Sequence, residues 1–152
     1  MKPSYLDIEK DEFERKTSRL YDILQDCTLC PRRCRVDRTK GEEGYCNSGM
    51  ELIVSSILPH YWEEEALVGL YGSGTIFLTN CNLKCIYCQN YDISCLGHGK
   101  PTTTEELARG MLSLQRQGCH NINLVTPTHF TPQLVETIKI AAKKGLVILF
   151  KF

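Results

Sequence analysis

Three apolar runs recur in the second half of the chain, at residues 75–80, 121–126 and 146–150, and the stretches between them repeat their apolar positions with helical period. The pattern predicts strand, helix, strand, helix, strand. Thr103 and Glu106 form a capping-box pair ahead of a helix of about 104–117, whose apolar side is Leu107, Met111, Leu112 and Leu114 and whose end is Gly118. Pro132 opens a second helix carrying Leu134, Val135, Ile138, Ile140 and Ala141, which Gly145 terminates. Earlier in the chain, residues 5–26 place Phe13, Leu20, Ile23 and Leu24 near one helical face, with Ser4 and Asp7 as its capped start. Residues 51–58 read as a strand that Pro59 stops, and residues 60–73 as a mixed connection containing Glu63, Glu64 and Glu65.

Near-continuous apolar strands alternating with helices indicate an α/β fold whose strands pair in parallel through crossover helices. The chain divides at Gly72: residues 1–71 hold the N-terminal helix, a cysteine-rich segment and a short strand, and residues 72–152 hold the strand-helix units. The strand at 146–150 has no helix after it, which leaves an edge prone to association.

Charge adds little direction: Lys plus Arg and Asp plus Glu both number 18, and the formal net charge is +0. Nothing in this balance draws the chain to nucleic acid or to a membrane surface. The basic residues Arg32, Arg33, Arg35, Arg38 and Lys40 are interrupted by Cys34 and Asp37 and read as a solvated rim. Cysteine usage is more informative. Nine cysteines stand in 152 residues, with no apolar signal segment at the N-terminus and no membrane-spanning run, so the expected compartment is the reducing cytoplasm. Clustered thiols there indicate metal or redox chemistry.

Cys81, Cys85 and Cys88 follow the first apolar strand as C-x3-C-x2-C. A 4Fe-4S cluster held by three thiolates keeps one iron open to a substrate or cofactor. Zinc closed by Cys95 or a distant thiol is the alternative, although zinc sites more often show two paired C-x2-C knuckles. A further set, Cys27, Cys30, Cys34 and Cys46, lies in a segment with little periodicity and offers four thiols, enough for zinc or for an auxiliary cluster. Cys119 beside the second strand reads as a buried apolar residue, and Cys95 is left open.

The triad with Tyr87 before its third cysteine resembles the signature of radical S-adenosylmethionine (SAM) enzymes. Gly72-Ser73-Gly74-Thr75-Ile76-Phe77, Gln89-Asn90-Tyr91, Asn121 to His129, and the leader Cys27-x2-Cys30-Pro31-x2-Cys34 with Gly44-Tyr45-Cys46 resemble the subgroup related to pyruvate formate-lyase activating enzyme. The resemblance implies a partial β/α barrel of radical-SAM type, with the first two units present and a third begun, as in a truncated member. It implies an oxidoreductase-type enzyme whose Cys81, Cys85 and Cys88 hold a 4Fe-4S cluster. Bound SAM is cleaved reductively there to a 5′-deoxyadenosyl radical that takes hydrogen from a protein or other substrate. A flavodoxin or ferredoxin is the implied electron donor. Tyr87 falls where the family has an aromatic near the adenine. Thr126-Pro127-Thr128-His129 replaces the family's Gly-Gly-Glu segment, which leaves Thr128 or His129 to contact the SAM amino group. The competing expectation is a truncated, catalytically incompetent module that only binds iron-sulfur clusters or zinc.

Overall fold

The computed structural model describes residues 2–151. Its first long element, α1 (Lys10–Asp22), lies between 3-10 turns at Ser4–Asp7 and Ile23–Asp26, so the single helix expected over 5–26 is broken. Ser4 does not cap it; Glu9 stands at the N-cap and makes no side-chain cap bond. The break has a tertiary cause. The Tyr5 hydroxyl donates to the carbonyls of Leu146 (3.1 Å) and Ile148 (2.9 Å), holding the first turn against the far end of the chain. Burial pushes this phenol up to about 12, so it remains a donor at neutral pH.

β1 (Ile53–His60) runs through Pro59, contrary to the expectation that the proline stops it. Its partner on one side, β3 (Lys100–Pro101), pairs only with Ile53 and Val54. At Pro59 the strand is therefore a local edge, where a missing N–H deprives no ladder partner. On its other side β1 pairs antiparallel with β2 (Ser73–Leu78), with Pro59 opposite Gly74. β2 pairs in parallel with β4 (Asn121–Val125), and β4 in parallel with β5 (Leu149–Lys151). The result is a five-stranded sheet in the order β3-β1-β2-β4-β5. The parallel portion is the three strands expected from sequence; β1 and β3 join it antiparallel, and β3 had no sequence counterpart.

Short helices α2 (Glu65–Val68) and α3 (Tyr91–Ser94) interrupt the connections, and α4 (Thr104–Arg116) and α5 (Thr131–Lys143) are the crossovers. The Thr103 and Glu106 capping box forms in both directions. Gly145, at φ 96°, closes α5, and the Leu146 amide then returns to the carbonyl of Ala141. That cap occupies Leu146, which is why β5 starts later than the apolar run suggests.

One face of the sheet is apolar. Ile76, Leu78, Ile122 and Leu124 pack there with Leu107, Met111 and Leu114 of α4 and Leu134 of α5. Gly74 permits this approach, because a Cβ on it would come within 3.2 Å of Leu114 and 2.8 Å of the Asn121 carbonyl. The opposite face is polar: the Ser73 hydroxyl donates to Asn121 (2.6 Å), and Asn121 in turn donates to the Leu67 carbonyl (2.9 Å). Glu63 accepts from Asn123 (3.1 Å) and Lys151 (2.6 Å), so the connection ahead of β2 lies over this second face. No helix among the described residues is long and apolar enough to cross a membrane.

Tyr5→Phe removes two long-range hydrogen bonds while keeping the ring that packs edge-on against Phe150. The expected loss is about 1–2 kcal/mol of unfolding free energy in urea titration. An unchanged midpoint and slope would contradict the role given to this contact.

Candidate functional site

The triad occupies the loop that leaves the carboxyl end of β2. Two backbone bonds anchor its entrance, from the Asn80 amide to the Ile93 carbonyl (3.2 Å) and from the Cys81 amide to the Ser94 carbonyl (2.9 Å). Asn80 and Lys84 adopt left-handed backbone, at φ 61° and 47°, which turns the chain twice within the loop. The Cys88 amide closes a tight turn on the Cys85 carbonyl (3.1 Å). Cys81 Sγ accepts from the Leu83 amide (3.3 Å), and Cys88 Sγ lies 3.3 Å from the Ser94 hydroxyl. Such donors disperse charge on a thiolate. The same hydroxyl lies 3.6 Å from Cys95 Sγ, so Cys95 sits at the margin of the triad loop.

Cys85 is exposed, and its neighbours Ile86 and Tyr87 are 94% and 88% exposed, so the outer part of the loop presents apolar surface around reachable thiols. Glycines let the loop and strand approach closely. A Cβ on Gly97 would fall 2.6 Å from Asn80 Oδ1, and one on Gly99 2.5 Å from Thr79 Cγ2 and 2.8 Å from the Val54 carbonyl. Asn82 is buried within the loop with its Oδ1 unpaired.

Because β2 and β4 run in parallel with Phe77 opposite Val125, the segment Thr126 to His129 leaves the sheet beside the triad loop. Thr126 has φ 51°, a strained conformation for a β-branched residue, at the edge of this site. Thr128 opens a 3-10 turn, Thr128–Phe130. His129 is buried and directed elsewhere: its Nε2 lies 2.7 Å from the Thr79 carbonyl. Since that carbonyl only accepts, Nε2 carries the proton and Nδ1 is a bare acceptor, left without a hydrogen-bond partner.

The second thiol set forms a compact unit. Cys27, Cys30, Cys34 and Cys46 line one small cavity together with Arg38 and His129. Arg38 is buried, which corrects the reading of the whole basic run as a solvated rim. The other side chains of that run do lie at the surface: Arg35 pairs with Asp26, Lys40 with Asp37, and the Arg32 guanidinium stacks 3.8 Å over the Tyr45 ring. Cys119 is buried as expected, and burial pushes its thiol up. A groove of about 600 Å³ between α1 and α5 is lined by Phe13, Leu20, Ile23, Val135 and Ile138 among others and has no thiol, histidine or carboxylate in its wall.

Among the described residues no three Cys, His, Asp or Glu side chains converge on a single point. The loops thus gather the thiols without presenting a closed cage. The donor chemistry nevertheless fits a thiolate-held cluster: three sulfurs in one short loop, two of them with hydrogen-bond donors, on a backbone whose turns are anchored at both ends. Sequence reasoning missed Arg38, Asn82, Ser94, Thr126 and the Glu63, Asn123 and Lys151 group. Only the Thr126-Pro127 pair carried a local signal, since the residue before proline is conformationally restricted.

Burial holds the His129 imidazole down, to about 4, against the raising effect of its bond to Thr79, and the nearby Arg38 charge lowers it further. The unfolded chain, at the ordinary value near 6.5, binds the proton first. Stability is therefore intact above about pH 6.5 and is lost as pH falls toward 4, by up to about 3 kcal/mol. Urea titrations across this range should show that slope in the parent and a flatter one in His129→Gln. Parallel slopes would refute it.

The chain is 33% identical over 146 residues to an uncharacterized protein of Methanocaldococcus jannaschii, an alignment covering 91% of this chain and 39% of that protein. The chain thus spans about two fifths of the length of this curated relative. No solved structure matches it. The model of the radical SAM superfamily matches residues 75–150, from the strand that delivers the triad to the last strand, and the chain belongs to that superfamily.

Proposed function

We propose that this chain is an activating-enzyme-like radical SAM protein of oxidoreductase type, with Cys81, Cys85 and Cys88 as the ligands of its 4Fe-4S cluster. The observation that carries the reading is the placement of three thiols in one loop at the carboxyl end of a parallel strand, inside the segment that matches the superfamily. Ligands of parallel α/β sheets bind at these strand ends. When bound, the cluster and SAM supply reductive cleavage of a sulfonium to a 5′-deoxyadenosyl radical, chemistry that no protein side chain provides.

The chain's own residues supply position and electrostatics. The Leu83 amide and the Ser94 hydroxyl stabilise charge on Cys81 and Cys88. Tyr87 offers an exposed ring beside the third thiol for stacking on adenine. Thr126 gives the backbone after β4 the left-handed turn that glycine adopts most easily, and Thr128, two residues on, is the residue assigned to a hydroxyl contact with the SAM amino group. His129, engaged with Thr79, acts behind this segment and supports it. The polar sheet face built on Asn121, Asn123, Glu63 and Lys151 faces the inside of the partial barrel in this reading. A flavodoxin or ferredoxin is the electron donor, and a protein segment or another unactivated C–H bond is the target. The cytoplasm is the matching compartment, because free thiols and reduced clusters persist there.

Anaerobic reconstitution with iron and sulfide, followed by reduction and incubation with SAM, tests the assignment. The parent should show a reduced-cluster paramagnetic signal and form 5′-deoxyadenosine. The variant Cys81→Ala/Cys85→Ala/Cys88→Ala should lose both, and a triple variant that still makes 5′-deoxyadenosine would exclude these ligands. Iron uptake by the parent without any 5′-deoxyadenosine would instead favour the incompetent binding module.

A further inference from the structure

The segment from Cys27 to Met50 supplies no side chain to the hydrophobic core cluster, yet its backbone is tightly wound. The Cys27 amide donates to the Val36 carbonyl and the Arg35 amide returns to the Cys27 carbonyl, both at 3.0 Å. Between these bonds Arg33 and Arg35 take φ values of 44° and 59°, and the Arg33 amide donates to the Cys30 carbonyl (3.1 Å). Side chains that accept little apolar contact do not by themselves offset the entropy of fixing so many dihedrals. Gly44, two residues ahead of Cys46, lets the backbone pass close to Cys34, because a Cβ there would lie 2.7 Å from Cys34 Cβ and 2.9 Å from its sulfur. The Tyr45 amide donates to the same sulfur (3.3 Å). The four thiols line a single cavity of about 10 Å³, although among the described residues no three of them meet at one point, so a bound ion draws the sulfurs inward from these positions. That volume is room for about one water-sized sphere, which suits a single ion better than an iron-sulfur cube.

Arg38 supplies an independent argument. Its side chain is 1% exposed, and no ion pair among the described residues includes it. Its hydrogen bonds all end on carbonyl oxygens, those of Gly49 and His129. A guanidinium removed from water without a counter-anion is strongly unfavourable. Arg38 lines the thiol cavity, and a divalent ion with four thiolates carries a formal charge of about −2, which supplies the missing anion.

We propose that Cys27, Cys30, Cys34 and Cys46 form an all-thiolate site for a single zinc-class ion, with buried Arg38 as its counter-cation. The centre is structural: it orders the cysteine-rich segment and, through Arg38 and His129, holds that segment against Thr79 at the root of the triad loop. It stands independently of the cluster assignment.

The test uses residues 1–152 carrying Cys81→Ala/Cys85→Ala/Cys88→Ala, stripped with a chelator and titrated with Co²⁺ under reducing, anaerobic conditions. One equivalent should bind with thiolate-to-cobalt charge transfer and the visible bands of a tetrahedral tetrathiolate, and Zn²⁺ should displace it. Adding Cys34→Ser should abolish the tetrathiolate spectrum. Arg38→Met should weaken Co²⁺ binding by about 10–100-fold, with Arg38→Lys between it and the parent. Should Arg38→Met not fold without metal, its recovery by excess Zn²⁺ but not by Mg²⁺ supports the same linkage. Four findings would each overturn the proposal: no charge-transfer band, a three-sulfur, one-nitrogen spectrum, uptake of about four irons with sulfide in place of zinc, or Arg38→Met binding as tightly as the parent.

Discussion

A buried guanidinium has to be satisfied inside the protein, and the three hydrogen bonds of Arg38 decide how the N-terminal third meets the sheet. Two end on Gly49, at the close of the cysteine-rich segment, and one ends on the carbonyl of His129 at 2.8 Å. His129 then donates from its ring to Thr79, the residue that follows β2. A segment with almost no regular structure is thereby fastened to the strand end that carries the loop of Cys81, Cys85 and Cys88. Because each bond is made by a buried group, loosening any of them leaves a polar atom without water, which is costly and makes the junction stiff.

The sheet divides its labour by the alternation of strand side chains. Residues Ile76, Leu78, Ile122 and Leu124 bury against α4 and α5, while Ser73, Asn121 and Asn123 on the intervening positions meet one another and the connection carrying Glu63. The apolar face supplies the stability, and the polar face is left with directional groups held by mutual hydrogen bonds. Glu63 forms an ion pair with Lys151 of β5 and accepts a hydrogen bond from Asn123 of β4, so it bridges the two strands on this side in addition to the ladder.

The two thiol sets differ in exposure as their proposed roles require. Cys27 and Cys46 are buried, and the cavity they share is small, which suits the single ion proposed for it. Cys85 is open to solvent and flanked by exposed Ile86 and Tyr87, so a cofactor and a reductant can approach the triad. A reactive cluster needs that access; a structural ion is better protected from exchange without it.

The sequence alone determined the strand-helix alternation of residues 72–152, the capping box at Thr103, the stops at Gly118 and Gly145, and the two thiol sets with the family of the first. Those features are local or depend on spacing, so periodicity and side-chain chemistry suffice to read them. Tertiary structure decided the rest. Pro59 stays in β1 because its neighbour on that side is only two residues long, and α1 begins late because Tyr5 is held by carbonyls more than a hundred residues away. Arg38 and His129 read as a surface cation and a candidate SAM contact, since nothing nearby in sequence reveals that both become buried beside the same four thiols. Burial and long-range hydrogen bonding depend on which distant segments meet, and that is fixed only when the chain has folded.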